Sequence, residues 1–295
     1  MSTLDLRPLS IGEILDRTFS LYRRNFVMFV GITAIPQLLS LAYQLTRVAF
    51  LTPRTPAAPP PGSEFLAASP VLSIAGYSGV ILLAVVAFIV YFISYLFAQG
   101  GTVFAVSELY LGRTTTIGQS LSRVWGELWS LFWAILFYFV TIFFSFVLSF
   151  FLLFIPGIYM LCRLCVCIPA ALLENLGPVD SLKRSFSLTK DNAGRAFLIL
   201  LLYVVILYAA ISLFAIPIGM GVRSAAKDPA MLRVWAALLQ VGSFVAGVLV
   251  TPVLTIATSI FYFDLRVRKE AFDIQLMMNP QAAGVPAPRA TGLIS

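Results

Sequence analysis

Apolar runs long enough to cross a bilayer recur along this chain, and no other feature narrows the possible folds as far. They lie at about residues 26–50, 71–111, 128–155, 158–173, 196–220 and 234–263. A helix of ~20 apolar residues spans a ~30 Å hydrocarbon core, so each run except the short fourth is amply long. Charged residues make up 11% of the chain and hydrophobic ones 60%, where a soluble domain carries roughly 25% charged. The pattern predicts an all-α integral membrane protein of six transmembrane helices arranged as three hairpins. The first run follows Asp5, Glu13 and Asp16, without the basic start and small-residue cleavage site of a secretory signal, so the first span is expected to be retained. Pro36 predicts a kink in that span, and the last run contains Pro252. Gly100-Gly101 marks a bend or a close helix approach in the second, and Pro156-Gly157 reads as the tight reversal between the third and fourth.

Three polar stretches precede the odd-numbered runs. In the first, residues 10–19, helical winding puts Ile11, Ile14, Leu15, Thr18, Phe19 and Tyr22 on one side. Glu13, Asp16, Arg17, Ser20, Arg23 and Arg24 fall on the other. Ser10 and Glu13 have the spacing of a capping box. Thr116-Ile117-Gly118-Gln119 repeats that spacing and the Ile-Gly pair, and Leu121-x-Arg123-x-Trp125 matches Leu15-x-Arg17-x-Phe19. Leu182-Lys183-Arg184-Ser185-Phe186 is a looser third copy, with Pro178 near its helix start. The expectation is three units, each an amphipathic helix lying in the cytoplasmic interface followed by a two-helix hairpin. Residues 1–9 form a lead, 10–278 the membrane domain and 279–295 a disordered tail. Pro53, Pro56, Pro59, Pro60, Pro61 and Pro70 predict an extended loop over 52–70.

Basic residues orient this topology. Arg7, Arg17, Arg23, Arg24, Arg113, Arg123, Lys183, Arg184, Lys190, Arg195, Arg266, Arg268, Lys269 and Arg289 fall on one side. Arg47, Arg54, Arg223, Lys227 and Arg233 fall on the other, so both termini are expected in the cytoplasm. The net charge of +7 follows from that topology, and nucleic-acid binding is not expected.

The even-numbered spans each end near an acid: Glu108, Glu174 and Asp264. An acid in a last turn opposes the helix dipole, at a cost of a few tenths to ~1 kcal/mol unless paired. One reading docks Arg17, Arg123 and Arg184 onto these acids, in an order the sequence does not assign. The other leaves three independently solvated charges. Arg163 is the one basic residue placed inside a span, where insertion costs ~2.5–3.5 kcal/mol. Its closeness to the Pro156-Gly157 turn predicts snorkelling towards the extracytoplasmic face, with an interior partner or an anionic headgroup as the alternative.

The chain contains no histidine, which removes Ser-His-Asp triads and His-Glu-x-x-His zinc helices. Cys162, Cys165 and Cys167 lack the fourth ligand that a zinc or iron–sulfur site requires and read as small buried hydrophobes. No catalytic residue, metal or cofactor is expected.

Four segments together resemble a known family. They are residues 6–17 (LRPLSIGEILDR), 108–113 (ELYLGR), 174–185 (ENLGPVDSLKRS) and 262–273 (YFDLRVRKEAFD). The chain is similar over about residues 5–275 to the bacterial multi-pass proteins named after the membrane domain of glycerophosphoryl diester phosphodiesterases. The resemblance implies a helical bundle of the bacterial inner membrane, in a family with no established activity of its own. The phosphodiesterase reaction of fused members belongs to a separate barrel with essential histidines, so that activity is not expected here. The expected function is non-enzymatic: organising lipids or a protein partner at the cytoplasmic face. A carrier for a lipid or small amphiphile is the alternative. The expected partners are the bilayer itself and a membrane or cytoplasmic protein.

Overall fold

The computed structural model describes residues 7–48, 70–149, 154–224 and 228–270, with side chains undescribed at 70–81, 224 and 229. The expected C-terminal tail, nearly all of the proline-rich loop and the first six residues of the lead lie outside the described residues. Among the described residues there are nine helices and no strand: α1 (Ile11–Arg24), α2 (Phe26–Thr46), α3 (Pro70–Tyr110), α4 (Ile117–Ser149), α5 (Ile155–Arg163), α6 (Cys167–Leu173), α7 (Pro178–Thr189), α8 (Ala193–Ser224) and α9 (Pro229–Glu270). Six stretches of the described residues are long and apolar enough to cross a membrane: Phe26–Thr46, Leu82–Tyr110, Ile117–Ser149, Ile155–Leu173, Ala193–Arg223 and Ala230–Glu270. Such a set belongs to a multi-pass membrane protein.

The polar stretches meet three different fates. Before α1, Ser10 Oγ accepts from the Glu13 amide at 3.3 Å and Glu13 Oε2 accepts from the Ser10 amide at 2.7 Å, so the capping box is complete. Thr116 and Gln119 form the same reciprocal pair at 3.1 and 3.3 Å. The helix that this second box starts then runs unbroken to Ser149, so the second polar stretch is the first turns of a span and not a separate helix. The third stretch is a separate helix, α7, but its inward face is lined by hydroxyls: Ser181, Ser185 and Thr189 are buried with Leu188. On α1, Ile14 and Thr18 are buried, while Phe19, expected on the covered side, is 43% exposed.

One connection also differs from expectation. Pro156-Gly157 is not the reversal between the third and fourth spans. Pro156 occupies the first turn of α5, where its missing N–H costs nothing, and the turn falls before it, with Phe154 in the left-handed region at φ 62°. The stretch between the last two apolar runs, residues 221–233, is mostly helical among its described residues, since α8 runs to Ser224 and α9 starts at Pro229.

The chain divides into two compact units. The first comprises residues 1–29, 100–203 and 253–295, and the second residues 30–99 and 204–252. In the second unit, Pro252 lies inside α9 and cannot donate to the carbonyl four residues back. That carbonyl, on Val248, lies 3.4 Å from the Thr33 hydroxyl of α2, whose one proton it shares with the Val30 carbonyl at the same distance. Glycines mark tight packing there: a Cβ at Gly242 would meet Phe214 at 2.8 Å, and one at Gly247 the Gln37 amide at 3.1 Å.

In the first unit, residues 255–265 of α9 are all buried, the signature of a helix enclosed on every side. Helix α4 packs against α5, α6 and α7. Gly100 sits where a Cβ would lie 2.9 Å from Val124 and 3.0 Å from Leu131, which accounts for a glycine there by close approach. Gly12 and Gly118, the repeated Ile-Gly glycines, have nothing within 4 Å of such a Cβ.

Two outcomes follow for thermal unfolding of the purified protein in a single detergent. Gly100→Ala should cost about 1–3 kcal/mol by overpacking, whereas Gly118→Ala should be neutral or stabilise by up to about 1 kcal/mol. A third concerns pH. The Ser10 amide and hydroxyl, helped by Arg7, hold the Glu13 carboxyl down at about 2 from an ordinary 4.5. A carboxyl lowered on folding stabilises above its unfolded value, so the cap should be intact above about pH 4.5 and fail as pH falls towards 2. Carboxyl-carbon NMR of Glu13 should show its midpoint returning towards 4.5 in Ser10→Ala.

Candidate functional site

Charged side chains gather at helix ends in the first unit, and each acid singled out from the sequence has cationic partners there. Glu108 lies in the last turn of α3. Gly112, at φ 76°, turns the chain so that the Arg113 amide donates to the Glu108 carbonyl at 2.9 Å and the Gly112 amide to Leu109 at 3.1 Å. These two bonds are a Schellman cap, which needs a residue tolerant of positive φ. The cap returns Arg113 to its own helix, where Nη1 lies 3.2 Å from Glu108 Oε2. Arg123, on the second turn of α4, reaches Oε1 of the same carboxylate at 2.5 Å.

Glu174 caps α6, and Asn175, at φ 51°, plays the part of Gly112: the Leu176 amide donates to the Ala171 carbonyl at 3.0 Å. Arg184 of α7 donates from Nε to Glu174 at 2.7 Å and lies 2.5 Å from Glu270 through Nη1. The Tyr262 hydroxyl donates to the other Glu174 oxygen at 2.7 Å, and Arg266 lies 3.1 Å from Glu270. Two arginines thus alternate with two glutamates across three helices, with all four side chains 17–24% exposed. The Glu270 and Glu174 carboxylates hold the Arg184 guanidinium above its ordinary pKa against the opposing effect of burial, so it stays charged.

Asp264 has no exposed side-chain surface. Its Oδ2 lies 2.8 Å from Arg195 of α8 and 3.0 Å from Arg268, one turn along α9. Its Oδ1 accepts the backbone N–H of Leu9 at 2.7 Å. Both arginines also donate to the Leu9 carbonyl, at 2.7 and 2.6 Å, so one peptide residue is gripped at both polar groups. Arg17, the counterpart of Arg123 and Arg184 in the first polar stretch, donates to the Tyr110 hydroxyl at 3.2 Å. Tyr110 stacks on Phe263 at 5.0 Å.

Arg163 does not follow the expected path towards the far end of its span. The fourth span is interrupted between α5 and α6, and Arg163 is the last residue of α5. Its Nη2 donates to the Phe186 carbonyl of α7 at 2.9 Å, and its guanidinium lies 5.0 Å from the Phe186 ring. Its own carbonyl, which the break deprives of a helical donor, accepts from Ser185 at 2.8 Å and Thr189 at 2.9 Å. Lys269 donates to the carbonyls of Ser187 and Lys190, so two cations from other elements cap the end of α7.

The chain matched no family model, no curated protein and no solved structure. Its geometry therefore carries the interpretation. Arg113, Arg195, Arg266, Arg268, Glu270 and Tyr262 are members of these clusters that reasoning from the acids and the three matched arginines missed. Arg268 and Glu270 were within reach, since Asp264/Arg268 and Arg266/Glu270 are four apart on one helix. Cys162, Cys165 and Cys167 are free thiols, with Cys162 and Cys167 buried.

Removing Arg184 leaves two carboxylates to share Arg266, whereas removing the Tyr262 hydroxyl deletes one hydrogen bond. Arg184→Ala should therefore destabilise by about 2–3 kcal/mol and Tyr262→Phe by about 1 kcal/mol, measured by unfolding in detergent. Equal losses in the two variants would rule out Arg184 as the hub of this network.

Proposed function

We propose that this chain is a non-enzymatic multi-pass protein of the bacterial inner membrane that organises anionic lipid headgroups at its cytoplasmic face. In this reading both termini are cytoplasmic, and three hairpins each follow one of the polar stretches. The observation that carries it is how charge is distributed in the first unit. Glu108, Glu174, Glu270 and Asp264 are engaged internally. Arg7, Arg123 and Arg268 are exposed but paired with Glu13, Glu108 and Asp264, and beyond those pairs Arg23, Arg24, Lys183, Lys190 and Lys269 are exposed, against Asp16, Asp180 and Asp191. A surface with that surplus attracts anionic headgroups by ~1 kcal/mol per basic residue near the membrane plane. Trp125 and Trp129 on α4 are 74% and 72% exposed, and amphipathic rings of this kind favour the headgroup level. The resemblance of the four charged segments to the phosphodiesterase membrane-domain family supports the inner-membrane address.

A carrier of lipid or small amphiphile is the second reading, favoured by the interrupted fourth span, because broken helices often line transport sites. Against it, the carbonyl exposed by the break is already bonded by Ser185 and Thr189.

Protein extracted in native nanodiscs should retain anionic phospholipid above its share of the surrounding membrane. Arg23→Glu with Arg24→Glu should cut that enrichment about tenfold. Lipid matching the bulk composition would sink the reading, and a stoichiometric protein recovered in its place would move it to protein docking. Lipid flux across proteoliposomes would support the carrier.

A further inference from the structure

The three acids hold three polar segments, but not on equal terms. Arg123 lies 15 residues beyond Glu108 and Arg184 10 residues beyond Glu174, so each is tethered to its acid by a short connection. A contact broken at either place re-forms against a high effective concentration. Leu9 lies 255 residues from Asp264 and has no such tether. On its other side, a single non-helical residue, Asn25, separates α1 from α2; its amide donates to the Leu21 carbonyl and its own carbonyl accepts from Met28 and Phe29, so a swing of α1 must bend or break these bonds.

The third contact also differs in kind. Asp264 accepts an amide N–H while Arg195 and Arg268 donate to the carbonyl of the same residue. The Leu9 side chain is fully buried. These groups read a non-helical peptide residue with an aliphatic side chain, and the polar contacts are all to the backbone.

We propose that Asp264, Arg195 and Arg268 form a receptor for a non-helical peptide residue, occupied in cis by the chain's own Leu9. Helix α1 leaves it reversibly while α7 and the start of α4 stay docked. Opening uncovers a buried carboxylate with two arginines, a site that takes a peptide segment presenting one free N–H, one C=O and an aliphatic side chain. The proposal is independent of lipid binding.

Hydrogen exchange of the full-length protein in nanodiscs tests it. Ile14 and Thr18 are buried on α1, and Ser181, Ser185, Leu188 and Thr189 on α7, so burial alone predicts only a modest advantage for α7. Reversible release predicts that residues 9–24 exchange about tenfold or more faster than residues 178–189. Leu9→Pro removes the amide donor and leaves the receptor intact. A fluorescent peptide copying residues 5–24 should bind that variant saturably and should not bind Leu9→Pro/Asp264→Ala. Equal exchange of the two segments in the unmutated protein overturns the proposal even if neither variant folds. So does a peptide that fails to bind folded Leu9→Pro, or that binds both variants alike.

Discussion

A carboxylate taken out of water costs several kcal/mol unless its partners are close and well aimed, and Asp264 has no exposed side-chain surface. Its placement dictates much of what surrounds it. The last span must bring Arg268 round by one turn, α8 must begin with Arg195 in reach, and the residue before the N-cap of α1 must present its amide. The requirement is met softly at Glu108 and Glu174, which retain some exposure and sit where a left-handed residue turns the chain back on the helix end. The cost of an acid at a helix C-terminus is offset in each case by cations brought to it.

Alternation of charge explains why the network has a definite arrangement. Arg184 touches both Glu174 and Glu270, and Arg266 touches Glu270 while lying 3.9 Å from Glu174. Moving any one of these groups leaves an oppositely charged neighbour with less compensation, which ties the helix ends to one arrangement. Helix α7 contributes differently on its other face, where hydroxyls bond carbonyls that the helices cannot satisfy alone.

What could be read in advance was whatever stays local. The Ser10/Glu13 and Thr116/Gln119 boxes involve residues three apart, and both form. The apolar runs locate the six membrane-crossing stretches, because length and composition are properties of a segment by itself. Which arginine meets which acid is left open by the sequence, and the structure selects Arg123 with Glu108 and Arg184 with Glu174, the partners joined by short connections. Arg195 has no such connection, because its partner lies on another span, and the Leu9 peptide group has no side-chain signature at all. The interruption at residues 164–166 contains neither glycine nor proline, but Pro169 lies four residues past Cys165, cannot donate to its carbonyl and crowds it, and that signal was passed over. Pro156-Gly157 drew the turn to the wrong place because proline serves helix starts as readily as turns. The hydroxyl face of α7 escaped notice since serine and threonine look polar in sequence and count as surface until their acceptors are known.

The interrupted fourth span has a consequence for how the protein is made. Arg163 leaves its carbonyl without a helical donor, and the hydroxyls that bond it come from Ser185 and Thr189, 22 and 26 residues later. At 5–20 residues per second, the ribosome needs roughly one to five seconds to supply them. For that interval the nascent segment holds an unsatisfied polar group, which disfavours its release into lipid. Synthesis of α7 therefore sets the earliest moment at which this part of the chain can settle, and the fourth span waits on its own successor.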